Sequence, residues 1–130
     1  MKRADIFELH ADVCKTIANP KRLKIIALLG SREMSVGELA EIIGISLPNA
    51  SQHLALLKAQ GVVATRKQAQ TVRYRLADRR IFQACTLTLA VLLERMKQRG
   101  LIAHRADPRY RVSVPVAPRP TTARRRKHDD

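Results

Sequence analysis

The residues able to do chemistry in this 130-residue chain fall into three groups. A polar, uncharged set, Ser46, Pro48, Asn49, Ser51, Gln52 and His53, offers amide, hydroxyl and imidazole groups over a short span. A cationic set follows, Arg66, Lys67, Gln68, Gln70, Thr71, Arg73 and Arg75. Two thiols, Cys14 and Cys85, complete the inventory. Asn and Gln amides can bond adenine bidentately, and Ser can donate to a base or a phosphate. Arg and Lys neutralise phosphates and so supply affinity without sequence preference. A thiol pair can bind As(III) or close a disulfide, although free Cys more often acts as a small buried hydrophobe. Catalysis finds no footing. The chain has no Gly-rich phosphate loop, no H-E-x-x-H, no G-x-S-x-G and no His–carboxylate spacing that suggests turnover. An enzyme is not expected.

Composition points the same way. Lys and Arg number 25 against 11 Asp and Glu, a formal charge of +14, which calls for a polyanionic partner. The excess is uneven: residues 1–61 carry +2, residues 62–100 carry +7 and residues 101–130 carry +5. An anion-facing surface is therefore expected in the later segments. Two cysteines cannot build a disulfide framework, so a reducing, cytoplasmic setting is expected. The N-terminal residues lack the apolar run of a signal peptide, and Ile81 to Leu93 is too short to span a bilayer. No membrane association is expected.

The elements that must hold these groups can be read from period and punctuation. Ile6, Leu9, Val13 and Ile17 predict a first helix. Asn19-Pro20 predicts a capped start for a second, over residues 20–29, burying Leu23, Ile26 and Leu29 and ended by Gly30. Ser35-Val36-Gly37-Glu38 is a capping box opening a third helix, residues 36–43, with Val36, Leu39, Ala40 and Ile43 inward. Gly44-Ile45-Ser46 makes a tight turn into a fourth helix, residues 47–60. Two short helices so joined have the dimensions of a helix-turn-helix. On the fourth helix Leu54 and Leu57 fall within about 40° of Ala50, which leaves Pro48, Asn49, Ser51, Gln52 and Ala55 on the bare arc. The period then changes to two. Residues 62–66 and 71–76 predict a hairpin with Lys67 to Gln70 at its tip, Val72, Tyr74 and Leu76 inward, Arg73 and Arg75 outward.

A fifth helix, residues 79–99, is apolar nearly all round, so it needs a second covering surface, most simply its symmetry mate. Residues 1–105 are read as one domain. Residues 106–130, with Pro108, Pro115, Pro118, Pro120 and the run Arg124 to Lys127, are read as a flexible basic tail.

Three stretches together resemble the ArsR/SmtB family: Ala18-Asn19-Pro20-Lys21-Arg22-Leu23-Lys24-Ile25-Ile26, then Ser51-Gln52-His53-Leu54 with Leu57 and Gly61-Val62-Val63, then Gln70-Thr71-Val72-Arg73-Tyr74-Arg75-Leu76. The resemblance implies a winged helix-turn-helix in the order α-α-α-α-β-β-α. It further implies a homodimer joined through first and fifth helices, an inverted-repeat operator in double-stranded DNA, and release by an inducer. The family often has Gly at the wing tip where this chain has Ala69, which implies a different turn.

The sensing sites that the resemblance implies are broken here. Where the metalloid site would have paired cysteines, this chain has Met34-Ser35-Val36-Gly37. Asp78 and Glu94 match two positions of the zinc-type site, but Arg80 and Val91 replace its histidines. Ala27 and Leu93 stand where persulfide sensors place cysteines. No metal site or cofactor is expected, leaving Cys14 and Cys85 as the candidate sensor thiols, with His10 one turn away.

The sequence is thus read as a mainly α winged helix-turn-helix repressor. Ser46, Pro48, Asn49, Ser51, Gln52 and His53 read the major groove, and the wing grips phosphates. The alternative is a sequence-tolerant architectural DNA-binding protein with no inducer.

Overall fold

Side-chain caps decide where the helices begin. In the computed structural model, which describes residues 5–100, Asp5 accepts a hydrogen bond from the Phe7 amide at 2.9 Å and opens α1 (Ile6–Ile17). Asn19 accepts from the Lys21 and Arg22 amides at 2.9 and 3.2 Å, and Pro20 takes the first position of α2 (Pro20–Leu29), where its missing donor costs nothing. The capping box forms in full. The Glu38 amide donates to Ser35 Oγ, and the Ser35 amide donates to Glu38 Oε1, both at 3.2 Å, opening α3 (Val36–Ile43). Gly44, at φ +78°, turns the chain in the left-handed region that favours glycine. Ser46 then caps α4 (Leu47–Ala59) by accepting from the Asn49 amide at 3.2 Å. Asp78 does the same for α5 (Arg79–Gln98).

The sheet is larger than the sequence implies. A two-residue strand β1 (Met34–Ser35) pairs antiparallel with β3 (Thr71–Leu76), which also pairs with β2 (Val63–Gln68), giving the order β1-β3-β2. Two residues are too few to show an alternating pattern, so nothing in the sequence announces β1. The hairpin is also longer than expected. Lys67 and Gln68 pair with Val72 and Thr71, which leaves only Ala69 and Gln70 at the tip. Ala69 lies at φ +53°, a left-handed conformation usually filled by Gly or Asn. The turn at this position is a two-residue one.

The core is aliphatic, as a chain without Trp and with two Phe requires. Ile25, Ile26, Leu28 and Leu29 of α2 meet Leu39, Leu54 and Leu57 of the helix-turn-helix, with Met34, Val62 and Val63 closing the side toward the sheet. Full burial of each such side chain contributes about 1.5–3 kcal/mol. Leu23, expected inside, is 42% exposed in the single chain, because Ile25, Ile26, Leu28 and Leu29 form the inward stripe of α2.

Gly30 ends α2 for a reason the sequence does not carry. It lies at φ −61°, an ordinary helical value, so no left-handed cap is involved. A Cβ there would stand 2.3 Å from two ring carbons of Phe82. Arg79 donates to the Gly30 carbonyl at 2.9 Å and stacks 5.6 Å above the Phe82 ring centroid, so α5 is seated on the end of α2 at this contact.

α1 and the outer side of α5 have no such seat. α1 buries no residue, with Ile6 and Phe7 69% and 75% exposed, and only Val13 and Ile17 touch the core. On α5, Leu87, Val91 and Leu92 are all more than half exposed. Among the described residues no helix is long and apolar enough to cross a membrane. The tail, residues 106–130, and the end of the expected domain lie outside the described residues.

Candidate nucleic-acid interface

α4 is built so that one side cannot face solvent and the other cannot face the core. Ala50, Leu54 and Leu57 are fully buried, the stripe expected from the sequence. Pro48, Asn49, Ser51 and Gln52 are exposed on the opposite arc. Side chains at a helix N-terminus, small and uncharged, leave the backbone free to approach a groove about 12 Å wide. Ser46 is exposed, but its hydroxyl already accepts the capping bond from Asn49.

His53 departs from this set. It is half-buried against the start of α2, with Nδ1 3.4 Å from a guanidinium nitrogen of Arg22. Arg22 also donates to the Thr16 carbonyl. Burial, then the charges of Arg22 and Lys21, hold the imidazole below its usual pKa, so it stays neutral as an acceptor. His53 therefore joins α4 to α2, and the cations beside it, Lys21 and Arg22, were read in the sequence only as part of a family motif.

The wing sorts its side chains by register. Residues directly opposite share a face, so Ala64, Arg66 and Gln68 lie with Arg75, Arg73 and Thr71, away from the core. Val63, Thr65 and Lys67 share the other face with Leu76, Tyr74 and Val72. Lys67 thus lies across the sheet from the arginines. Val72, expected inward, is 41% exposed, because it sits opposite Lys67 near the tip, beyond the reach of the core.

Two of the three arginines are engaged. Arg66 donates to Glu33 through both Nε and Nη2, at 3.0 and 2.7 Å to one carboxylate oxygen. Arg73 donates to Glu38, which also receives Arg32 at 3.2 Å, and its Nε donates to Gln68 at 3.3 Å. The Arg66 hydrogen bond holds the Glu33 carboxyl below the usual range, with the charges of Arg75 and Arg73 adding to it. Glu38 is likewise lowered, first by the Ser35 amide and then by Arg73. In the sequence Glu38 is legible only as a cap residue, and Glu33 carries no signal. A pair 33 positions apart has no local signal.

Of the thiols, Cys14 is exposed on α1 and Cys85 half-buried on α5. Burial raises the Cys85 pKa, and the charge of Cys14 raises it further. Cys85 also lines an apolar cavity of about 280 Å³ between α2 and α5, beside Leu23, Ala27, Phe82 and Leu89. Asp78 caps α5 and is gripped by Arg80 at 2.7 Å, which holds its pKa at about 2. Among the described residues no three of His, Cys, Asp and Glu gather as a metal site would require.

A reading helix following a tight turn, flanked by a hairpin pinned to the helix before it, makes this a winged helix-turn-helix. A family profile described as "Bacterial regulatory protein, arsR family" matches residues 19–65. The "Biofilm growth-associated repressor" of Xylella fastidiosa is 35% identical over 88 residues, 68% of this chain and 77% of that protein. The "Nodulation protein NolR" of Rhizobium meliloti is 48% identical over 67 residues, 52% of this chain and 55% of its own length. Among solved structures, the homodimeric winged helix-turn-helix DNA-binding domain Mb0332 of Mycobacterium bovis superposes with a TM-score of 0.66 at 28% identity, over 81% of this chain and 96% of the other. The chain belongs to the arsR family of bacterial transcriptional regulators.

Proposed function

We propose that this chain is a homodimeric, sequence-specific repressor that binds an inverted-repeat operator. The observation that carries the reading is the bare Pro48–Asn49–Ser51–Gln52 arc of α4, opposite a fully buried stripe on the helix that leads into the cationic wing. Gln52, Asn49 and Ser51 meet base edges in the major groove, with Pro48 and Ser46 shaping the helix start. Arg75, Lys67, Thr71, Gln70 and, on exchange of their present partners, Arg66, Arg73 and Gln68 meet phosphates. The exposed apolar sides of α1 and α5 bury against a second copy, which sets two reading helices roughly 34 Å apart.

The test compares affinity for a duplex from the chain's own promoter with that for a random duplex at fixed salt. Gln52→Ala weakens the first far more than the second. Arg75→Ala weakens both alike and flattens the salt dependence. A promoter-to-random ratio near one would instead support the sequence-tolerant architectural reading. Equal loss on both duplexes in Gln52→Ala would refute α4 as the reading helix.

A thiol-based inducer is the reading we favour for release: Cys14 is exposed on α1 and Cys85 half-buried on α5, the two helices that would form the dimer. A hydroperoxide would take two electrons and two protons from the pair to close a disulfide, leaving an alcohol and water; arsenous acid would bridge the two sulfurs, its hydroxyls leaving with the thiol protons as two waters. Either event ties α1 to α5, the helices of the dimer. Release by arsenite or hydroperoxide that persists in Cys14→Ser would rule this out.

A further inference from the structure

The outward face of the wing carries three cations in a small area. Arg66 stands directly opposite Arg73, and Arg75 is diagonal to Arg66. Like charges placed opposite one another across a strand pair repel. Each arginine of the opposed pair has a carboxylate of its own, Glu33 for Arg66 and Glu38 for Arg73. Among the described residues no carboxylate lies within 4.0 Å of Arg75.

The two carboxylates differ in what else they do. Glu38 completes the capping box of α3 and also holds Arg32, so it belongs to the framework. Glu33 precedes β1, is partly exposed, and among the described residues its side chain bonds to Arg66 alone. It fills the planar fork that a phosphate would take, with two donors converging on one oxygen. It also sets a negative charge on the face that the proposed function turns toward a polyanion.

We propose that Glu33 is a built-in competitor for the phosphate site of Arg66, weakening one phosphate contact because DNA gains it only by displacing the carboxylate. This rests on the DNA-binding reading of the wing. Phosphate contacts are blind to sequence, so weakening one lowers attachment to arbitrary DNA and leaves base contacts a larger share of the discrimination.

The experiment uses the full chain and a fluorescein-labelled random-sequence duplex, followed by anisotropy over a salt series. Wild type, Glu33→Gln, Arg66→Gln, the double variant and Arg75→Gln are compared, with thermal melts to show that each folds. Glu33→Gln is expected to bind roughly threefold to tenfold more tightly at low salt, with a logarithmic salt slope steeper by about 0.9. In the Arg66→Gln background the same substitution leaves the slope unchanged and loses most of the gain. Unchanged or weaker binding in Glu33→Gln overturns the proposal. So does an undiminished gain in the Arg66→Gln background, which assigns the effect to net charge. Arg75→Gln reports on the underlying reading: if it neither weakens binding nor flattens the slope, the wing does not meet phosphates at all. If it does both while Glu33→Gln is silent, only the competitor role falls.

Discussion

Gly30→Ala tests the seating of α5 with a single methyl group. The backbone there is helical, so alanine is conformationally welcome and restricting the unfolded chain favours folding by about 0.4–1 kcal/mol. Against this, the added Cβ would lie 2.3 Å from Cδ2 and Cε2 of Phe82 and 2.8 Å from Cζ. The ring must move, and with it the Arg79 guanidinium stacked on it and bonded to the Gly30 carbonyl. Overpacking of this kind costs about 1–3 kcal/mol, so the midpoint of the net loss is about 1.3 kcal/mol. For a domain of this size that lowers Tm by about 5–10 °C. The assay is thermal unfolding followed by circular dichroism at one fixed protein concentration, since a dimer's Tm moves with concentration. Phe82→Leu in the same chain should restore part of the loss by making room for the methyl. A Tm equal to or above wild type in Gly30→Ala alone would refute the claim that ring contact, not backbone freedom, requires glycine here.

Three further outcomes are expected. Leu87→Glu, on an α5 surface that is 68% exposed in the single chain, should convert a dimer to monomers in sedimentation velocity without lowering helix content; an unchanged sedimentation coefficient would move the interface elsewhere. The Asp78 carboxyl should titrate near 2 by NMR, because Arg80 favours its ionised form. Its stabilising effect is present above the ordinary carboxylate pKa near 3.8 and fades as pH falls toward 2; a normal titration would deny the Arg80 grip. His53 should titrate below its usual 6.5, so folding favours the neutral ring and stability declines as pH falls through that value; His53→Gln should lose this dependence in urea unfolding series.

What the sequence disclosed, and what it hid, divides by range. Asn19, Ser35 and Ser46 act within three residues of themselves, so their caps and the helices behind them could be read directly. Ala50, Leu54 and Leu57 follow from the 3.6-residue period, and with them the bare arc that carries the proposed function. Other features depend on partners distant in the chain. Whether Arg66 is free or held depends on Glu33, and whether His53 faces outward depends on Arg22. Leu23 has the period of a core residue but sits at the rim of a cavity. Gly30 does end α2, but what requires glycine there is the Phe82 ring, which no local pattern announces.

The short strand at Met34–Ser35 has a mechanical consequence. By joining β3 it rivets the hairpin to the residues that open α3, which in turn leads through Gly44 into α4. Ribbon and fourth helix are thereby linked through α3 by strand pairing as well as by the chain, as the two edges of one jaw. Under the function proposed above, an effector works on such a molecule as on a calliper, changing the gap between two jaws by shifting the helices at the pivot.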